Sequence, residues 1–106
     1  MPVLIGAGGT EKNFAWIARN ADGWITTPQD RGITDAAVRL AEVWREHGRP
    51  GSPRIVALDG RPDGARLARW GEAGVTDVLY PVDDSSEAAA AAYLEKLVTA
   101  VDPDRR

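Results

Sequence analysis

The sequence predicts an α/β fold built from four consecutive βα units around a parallel sheet. Three observations predict it. Short apolar runs alternate four times with stretches of helical period. The first apolar run has no polar alternation, as expected of a parallel strand buried on both faces. Glycine, proline and aspartate punctuate nearly every junction. Such units carry right-handed crossovers, which leaves two architectures. One is a small doubly wound sheet with helices on both faces. The other is half of a (βα)8 barrel, with helices on one face and a barrel interior on the other.

The elements follow in order. Pro2 to Ala7 reads as the first strand, and a helix begins near Thr10. In that helix Phe14, Ile17, Ala18 and Ala21 form one apolar stripe. Gly23 to Thr27 is the second strand. Thr34 or Asp35 is placed to cap the next helix, in which Ala37, Leu40, Ala41 and Trp44 share a face. Gly48 ends that helix, and Pro50, Gly51 and Pro53 forbid its continuation. Arg54 to Asp59 is the third strand. Pro62 and Asp63 suit the first turn of a third helix, whose buried side carries Leu67 and Trp70. Asp77 to Val82 is the fourth strand. Asp84 and Glu87 have capping-box spacing, and the last helix runs near Ser86 to Val101. Tyr93, Leu94, Leu97, Val98 and Val101 are expected on its inner face. Trp16, Trp44 and Trp70 lie within helices and read as packing residues.

The 106 residues fit one domain, over 1–102, with a disordered tail at 103–106. A net charge of −3, with arginines scattered along helices, gives no footprint for nucleic acid. The absence of cysteine excludes disulfides and thiolate metal sites. The longest apolar stretch is far short of a membrane span, and the start "MPVLIG" lacks the basic region of a secretory signal. The expected location is cytoplasmic.

Chemistry concentrates in the glycine cluster Gly6, Ala7, Gly8, Gly9, Thr10. Glycines let a backbone approach a ligand closely, and a helix start offers free N–H groups and a positive dipole end. Together these suit a phosphate. The cluster lacks the Gly-Lys-Ser/Thr ending of a P-loop, and Glu11 stands where a dinucleotide fingerprint needs its third glycine. A plain tight βα turn, with Thr10 as helix cap, is the competing reading. Thr26 and Thr27 sit where α/β sheets place ligands, at a strand's C-terminal end. β-propensity and capping explain the same residues. Asp59 ends a strand as a receiver phosphoacceptor does, but the acidic pair and the lysine of a receiver are missing. His47, the single histidine, falls in a last helical turn where partial positive charge is favoured, and it has no second imidazole with which to share a metal. Asp83 and Asp84 read as helix-capping residues.

The segment "PVLIGAGGTEKNFAWIARNADGWITT" resembles the luciferase-like monooxygenase superfamily, especially the branch using the deazaflavin F420. The shared pattern is a strand, a Gly-Gly turn, a helix ending A-R-x-A-D-G, then Trp and a short β run. "LARWGEAGVTDVLYPV" is similar to that family's last helix–strand passage. The resemblance implies the half-barrel architecture, corresponding to strands five to eight of a (βα)8 barrel. It implies hydride transfer or monooxygenation with F420, or alternatively FMN, as cofactor. It assigns Gly8, Gly9, Thr10 and Glu11 to the cofactor phosphate through backbone amides. It turns Thr26 and Thr27 toward the cofactor mouth and places Val82 and Asp83 on the same rim. The catalytic side chains are unknown, since strands one to four have no counterpart here, and the chain is expected to be inactive alone. The expected partner is the missing N-terminal half-barrel or a second copy. The alternative function is a non-catalytic half-barrel that self-associates, driven by its open apolar face.

Overall fold

Residues 1–26, 32–59, 63–81 and 85–101 are described by a computed structural model. The expectations for Thr27, Pro62, Val82, Asp83, Asp84 and the tail at 103–106 fall outside these residues.

The elements are β1 (Leu4–Gly6), α1 (Glu11–Asn20), β2 (Gly23–Ile25), α2 (Ile33–Glu46), β3 (Arg54–Leu58), α3 (Gly64–Ala73), β4 (Asp77–Leu79) and α4 (Glu87–Val101). All three strand pairings are parallel, in the order β1-β2-β3-β4. The order never reverses. Right-handed crossovers that step one way across a sheet leave every helix on the same face. The helices accordingly neighbour one another in turn, α1 on α2, α2 on α3 and α3 on α4.

The strand period of two separates the sheet's faces. Ile5, Trp24 and Ile55 form one row, with Ala57 and Val78 paired a step along. All five belong to the core beneath the helices, with Phe14, Ile17, Ala37, Leu40, Trp44 and Trp70. Gly6, Ile25, Val56 and Asp77 form a row on the opposite face, beside the Leu58–Leu79 pair. Among the described residues no helix lies over that second face, although Val56 in it is only 4% exposed.

This one-sided cover corrects the expectation of a first strand buried on both faces. Leu4 and Ile5 are half-buried and Gly6 is exposed. β1 is an edge strand, and among the described residues no helix covers its second face. The strands are also shorter than their apolar runs, because pairing stops where the chain turns into each βα loop. The cap of α2 differs too. Gly32, at φ +70°, precedes the helix with no side-chain cap, while Asp35 lies in its first turn near the positive dipole end. Asp63 caps α3 by accepting from the Ala65 and Arg66 amides at 3.0 and 3.2 Å. Ser86 caps α4, its Oγ accepting from the Ala89 amide at 3.0 Å.

The inner face of α4 is narrower than its sequence predicts. Tyr93 and Leu97 are half-buried, whereas Leu94 and Val98 are 47% and 40% exposed. Among the described side chains of α4 none is fully buried. Trp16 is half-exposed on α1, unlike the packed Trp44 and Trp70. Its position lies opposite the stripe formed by Phe14, Ile17 and Ala18, so it cannot reach the core.

Gly23 is required by close approach. A Cβ there would overlap the Arg54 carbonyl of the neighbouring strand. Gly23→Ala should lower stability by about 1–3 kcal/mol, the usual cost of an overpacked site, read as a fall in the urea midpoint. An unchanged midpoint would show that the β2–β3 spacing is relaxed.

Candidate functional site

The glycine turn between β1 and α1 is held from behind. Trp24, fully buried on β2, packs edge-on against Phe14 with ring centroids 5.0 Å apart. Its Nε1–H donates to the Ala7 carbonyl at 2.7 Å. The Gly8 carbonyl accepts from the Thr10 amide at 2.9 Å and from Asn13 Nδ2 at 3.0 Å. Thr10 caps α1, its Oγ1 accepting from the Asn13 amide at 3.2 Å. The Ala7 and Gly8 carbonyls are thus satisfied by the protein itself. The Gly9, Glu11 and Lys12 amides have no acceptor among the described residues. A short array of N–H groups remains at the positive end of α1, and Gly8 and Gly9 are exposed.

Gly8, Gly9, Thr10 and Glu11 are therefore brought together, with distinct roles. An added Cβ at Gly9 would sit 3.4 Å from the rings of Phe14 and Trp24, so the turn rests on the aromatic pair. At Gly8 the same atom meets nothing within 4 Å. The Glu11 side chain faces α2, where Arg39 donates to both its oxygens, the shortest contact being 2.7 Å. Those hydrogen bonds hold the Glu11 carboxyl below the usual carboxylate range. Only the Glu11 amide is left for an anion. Arg39 also pairs with Glu42 and Glu46, so its charge is shared among three carboxylates.

Thr26 is 1% exposed. Its amide donates to the Val56 carbonyl at 2.9 Å, and its Oγ1 accepts from the Leu58 amide at 3.2 Å. The hydroxyl takes the ladder position that a strand carbonyl would hold, just where β2 leaves the sheet. Sequence reading weighed a ligand-facing role for Thr26 against β-propensity and helix capping; this ladder role depends on the neighbouring strand.

A second polar group lies at the C-terminal ends of β3 and β4. The Asp59 carboxylate, its side chain 9% exposed, accepts from Arg66 Nη2 at 2.8 Å on both oxygens. The Arg66 guanidinium lies 5.3 Å from the Trp70 ring centroid. The Tyr80 hydroxyl is buried beside this pair, without a partner in hydrogen-bonding geometry among the described residues. Burial first, and the Asp59 carboxylate second, push the phenol up to about 12. Asp59 is thus one half of an ion pair. His47 at the end of α2 places Nδ1 2.9 Å from the Val43 carbonyl, to which it donates.

Trp24 and Asn13 shape the turn, and sequence reading gave neither a role. The signal available for Trp24 was its place directly after Asp22–Gly23, at the start of a strand. Among the described residues no group of three or more His, Cys, Asp or Glu could hold a metal ion. Among the same residues no helix is long and apolar enough to cross a membrane.

Fold and site together define an α/β domain of consecutive βα units, with an amide-lined turn at the C-terminal end of its first strand. No family model matches the chain, and no solved structure matches it. It is similar to "Uncharacterized protein Rv0953c" of Mycobacterium tuberculosis (strain ATCC 25618 / H37Rv) and to "Uncharacterized protein Mb0978c" of Mycobacterium bovis (strain ATCC BAA-935 / AF2122/97). Each is 57% identical over 97 residues, which cover 92% of this chain and 34% of the relative. The chain spans about a third of the length of these curated relatives.

Two outcomes follow from this geometry. Thr26→Val removes the acceptor of a buried amide and should cost about 1–3 kcal/mol in urea unfolding, whereas Thr26→Ser should retain most of the stability. Tyr80 titrates higher folded than unfolded, so its contribution is present below pH 10 and is lost as pH rises toward 12. Tyr80→Phe should flatten that alkaline loss, measured as the melting temperature between pH 9 and 12.

Proposed function

We propose that this chain is the cofactor-phosphate-binding half of a luciferase-like, F420-dependent oxidoreductase, with FMN as the alternative cofactor. The observation that carries the reading is the amide array of Gly9, Glu11 and Lys12 at the start of α1, on a turn whose Ala7 and Gly8 carbonyls are already satisfied. Such a turn attracts an anion by hydrogen bonds and by the helix dipole. The exposed Gly8 lets a phosphate come close, and Thr10 and Glu11 bound the site.

The sheet order and the one-sided helix layer support half of a (βα)8 barrel. In that architecture the helix-free face of Ile25, Val56, Leu58 and Leu79 belongs to the barrel interior, and ligands gather at the strands' C-terminal ends. Gly8 to Glu11 and Thr26 all lie at or after those ends. The threefold greater length of the relatives supports the same reading, because four further βα units fit in the additional sequence.

When bound, the cofactor supplies the hydride chemistry. This chain's part is to hold the phosphate and so orient the ring system toward the barrel mouth. Catalytic side chains belong to the other half, and the chain alone is inactive.

Titration of F420 and FMN, each separately, tests this in two formats: the chain alone, and the chain joined to the remaining sequence of a mycobacterial relative. Binding of F420 to the joined form is expected. Gly8→Val should weaken it about tenfold or more, equivalent to roughly 1.4 kcal/mol, with the melting temperature held, since its Cβ meets nothing within 4 Å. Failure of both cofactors to bind in either format would remove the proposal.

A further inference from the structure

We infer that Arg39 is a positioning residue for the glycine turn. It holds the Glu11 carboxylate against α2 and so keeps it off the open amides of its own helix, where the proposed cofactor phosphate rests. The ligand in this inference rests on the proposed function; the restraint on Glu11 does not. Glu11 is the first residue of α1, directly after the Thr10 cap. A carboxylate there is drawn to the helix's positive end and to amides that lack intrahelical acceptors. A glutamate in a first helical turn can fold back onto such amides, as it does in a capping box. The Gly9, Glu11 and Lys12 amides lack acceptors among the described residues, yet the carboxylate does not take them. It crosses to α2 instead. There Arg39 Nε donates to both of its oxygens at 3.0 Å, and Nη2 donates to Oε1 at 2.7 Å.

The guanidinium is aimed by its own helix. Its Nη1 donates to Glu42 at 3.0 Å and to Glu46 at 3.1 Å, both further along α2. That leaves the Nε–Nη2 edge facing α1 as a planar fork, which matches the two oxygens of a carboxylate. Stability gives little reason for the arrangement. The Arg39 and Glu11 side chains are 37% and 66% exposed, and exposed ion pairs contribute little. The effect falls on what reaches the start of α1. With Glu11 held, the turn presents its amides, the helix dipole and the Lys12 ammonium, which has no carboxylate partner among the described residues. Released, Glu11 puts a negative charge on the same amides and excludes an anion as a built-in competitor.

Four variants test it: Arg39→Ala, Glu11→Gln, and Arg39→Ala combined with either Glu11→Gln or Glu42→Gln. Each is prepared in the chain joined to the remaining sequence of a mycobacterial relative. The first readout needs no ligand: hydrogen exchange of the Gly9, Glu11 and Lys12 amides, followed by NMR. Arg39→Ala should slow it about fivefold as the freed carboxylate settles on those amides, and adding Glu11→Gln should restore the fast rate. The second readout is F420 affinity. Arg39→Ala should weaken it about fivefold, the effect of one full charge at a helix start; adding Glu11→Gln should recover it and adding Glu42→Gln should not. Glu11→Gln alone should bind as the unaltered form does. The melting temperature should barely move in any variant. Unchanged exchange in Arg39→Ala would overturn the inference, because the freed carboxylate would then not reach the amides. So would F420 affinity indifferent to Arg39→Ala, or equal recovery by Glu42→Gln, which would assign the effect to the general charge of α2. Slowed exchange in Arg39→Ala, with no F420 binding even by the unaltered form, would remove the cofactor reading and uphold the restraint on Glu11.

Discussion

The structure turns on Trp24. It stands at the centre of β2, fully buried, and touches three levels of organisation at once. Its ring meets Phe14 edge-on, which fixes α1 against the sheet. Its indole N–H holds the Ala7 carbonyl at 2.7 Å, which fixes the direction of the glycine turn. Its far edge lies against Gly9, where an added Cβ would sit 3.4 Å from the ring. Burying an indole in a polar-free core leaves its N–H in need of an acceptor. Here that acceptor is the Ala7 carbonyl, in the turn that leads into α1. Core packing and site geometry are the same interaction.

Around that centre the two ends of the sheet carry different kinds of bond. At the N-terminal end, Asp22 exchanges hydrogen bonds with Val3 in both directions, Arg54 pairs with Asp77, and Thr76 ties β4 to Ile55. Arg54 and Thr76 hold the Asp77 carboxyl below the ordinary range. These contacts close on themselves and leave nothing to offer a ligand. Arg49 adds a clamp between helices, donating to the Ala18 and Ala21 carbonyls while lying 4.0 Å from the Trp44 ring centroid. At the C-terminal end the glycine turn presents unused amides, and near the Asp59–Arg66 pair the buried hydroxyls of Tyr80 and Tyr93 have no partner in hydrogen-bonding geometry among the described residues. Unspent hydrogen-bonding capacity collects where βα loops begin, which is where ligands of α/β sheets bind.

The sheet's two faces differ for a topological reason. A strand order that never reverses, joined by right-handed crossovers, supplies helices to one face only. The core beneath them is continuous from Phe14 to Val75, whereas Ile25, Leu58 and Leu79 on the other side remain partly or largely open. Cover thins toward the last unit, and α4 touches the domain with only a few half-buried side chains. The packing is densest at β2 and β3, the strands with neighbours on both sides.

What the sequence by itself determined was local. Periodicity and glycine or proline punctuation set the number, type and order of the elements, because an apolar stripe of period 3.6 and a short apolar run each have one good way to be buried. Thr10 and Asp63 were legible as helix-terminal residues for the same reason: a cap acts on amides two or three residues away. The tertiary structure decided everything that depends on a neighbour distant in sequence. It spent the Thr26 hydroxyl on the Leu58 amide, turned Glu11 to Arg39, put Trp24 behind the glycine turn, and left Leu94 and Val98 uncovered although their pattern marks them as buried. A sequence pattern records that a side chain seeks apolar cover; the cover itself comes from strand order, which no local signal encodes.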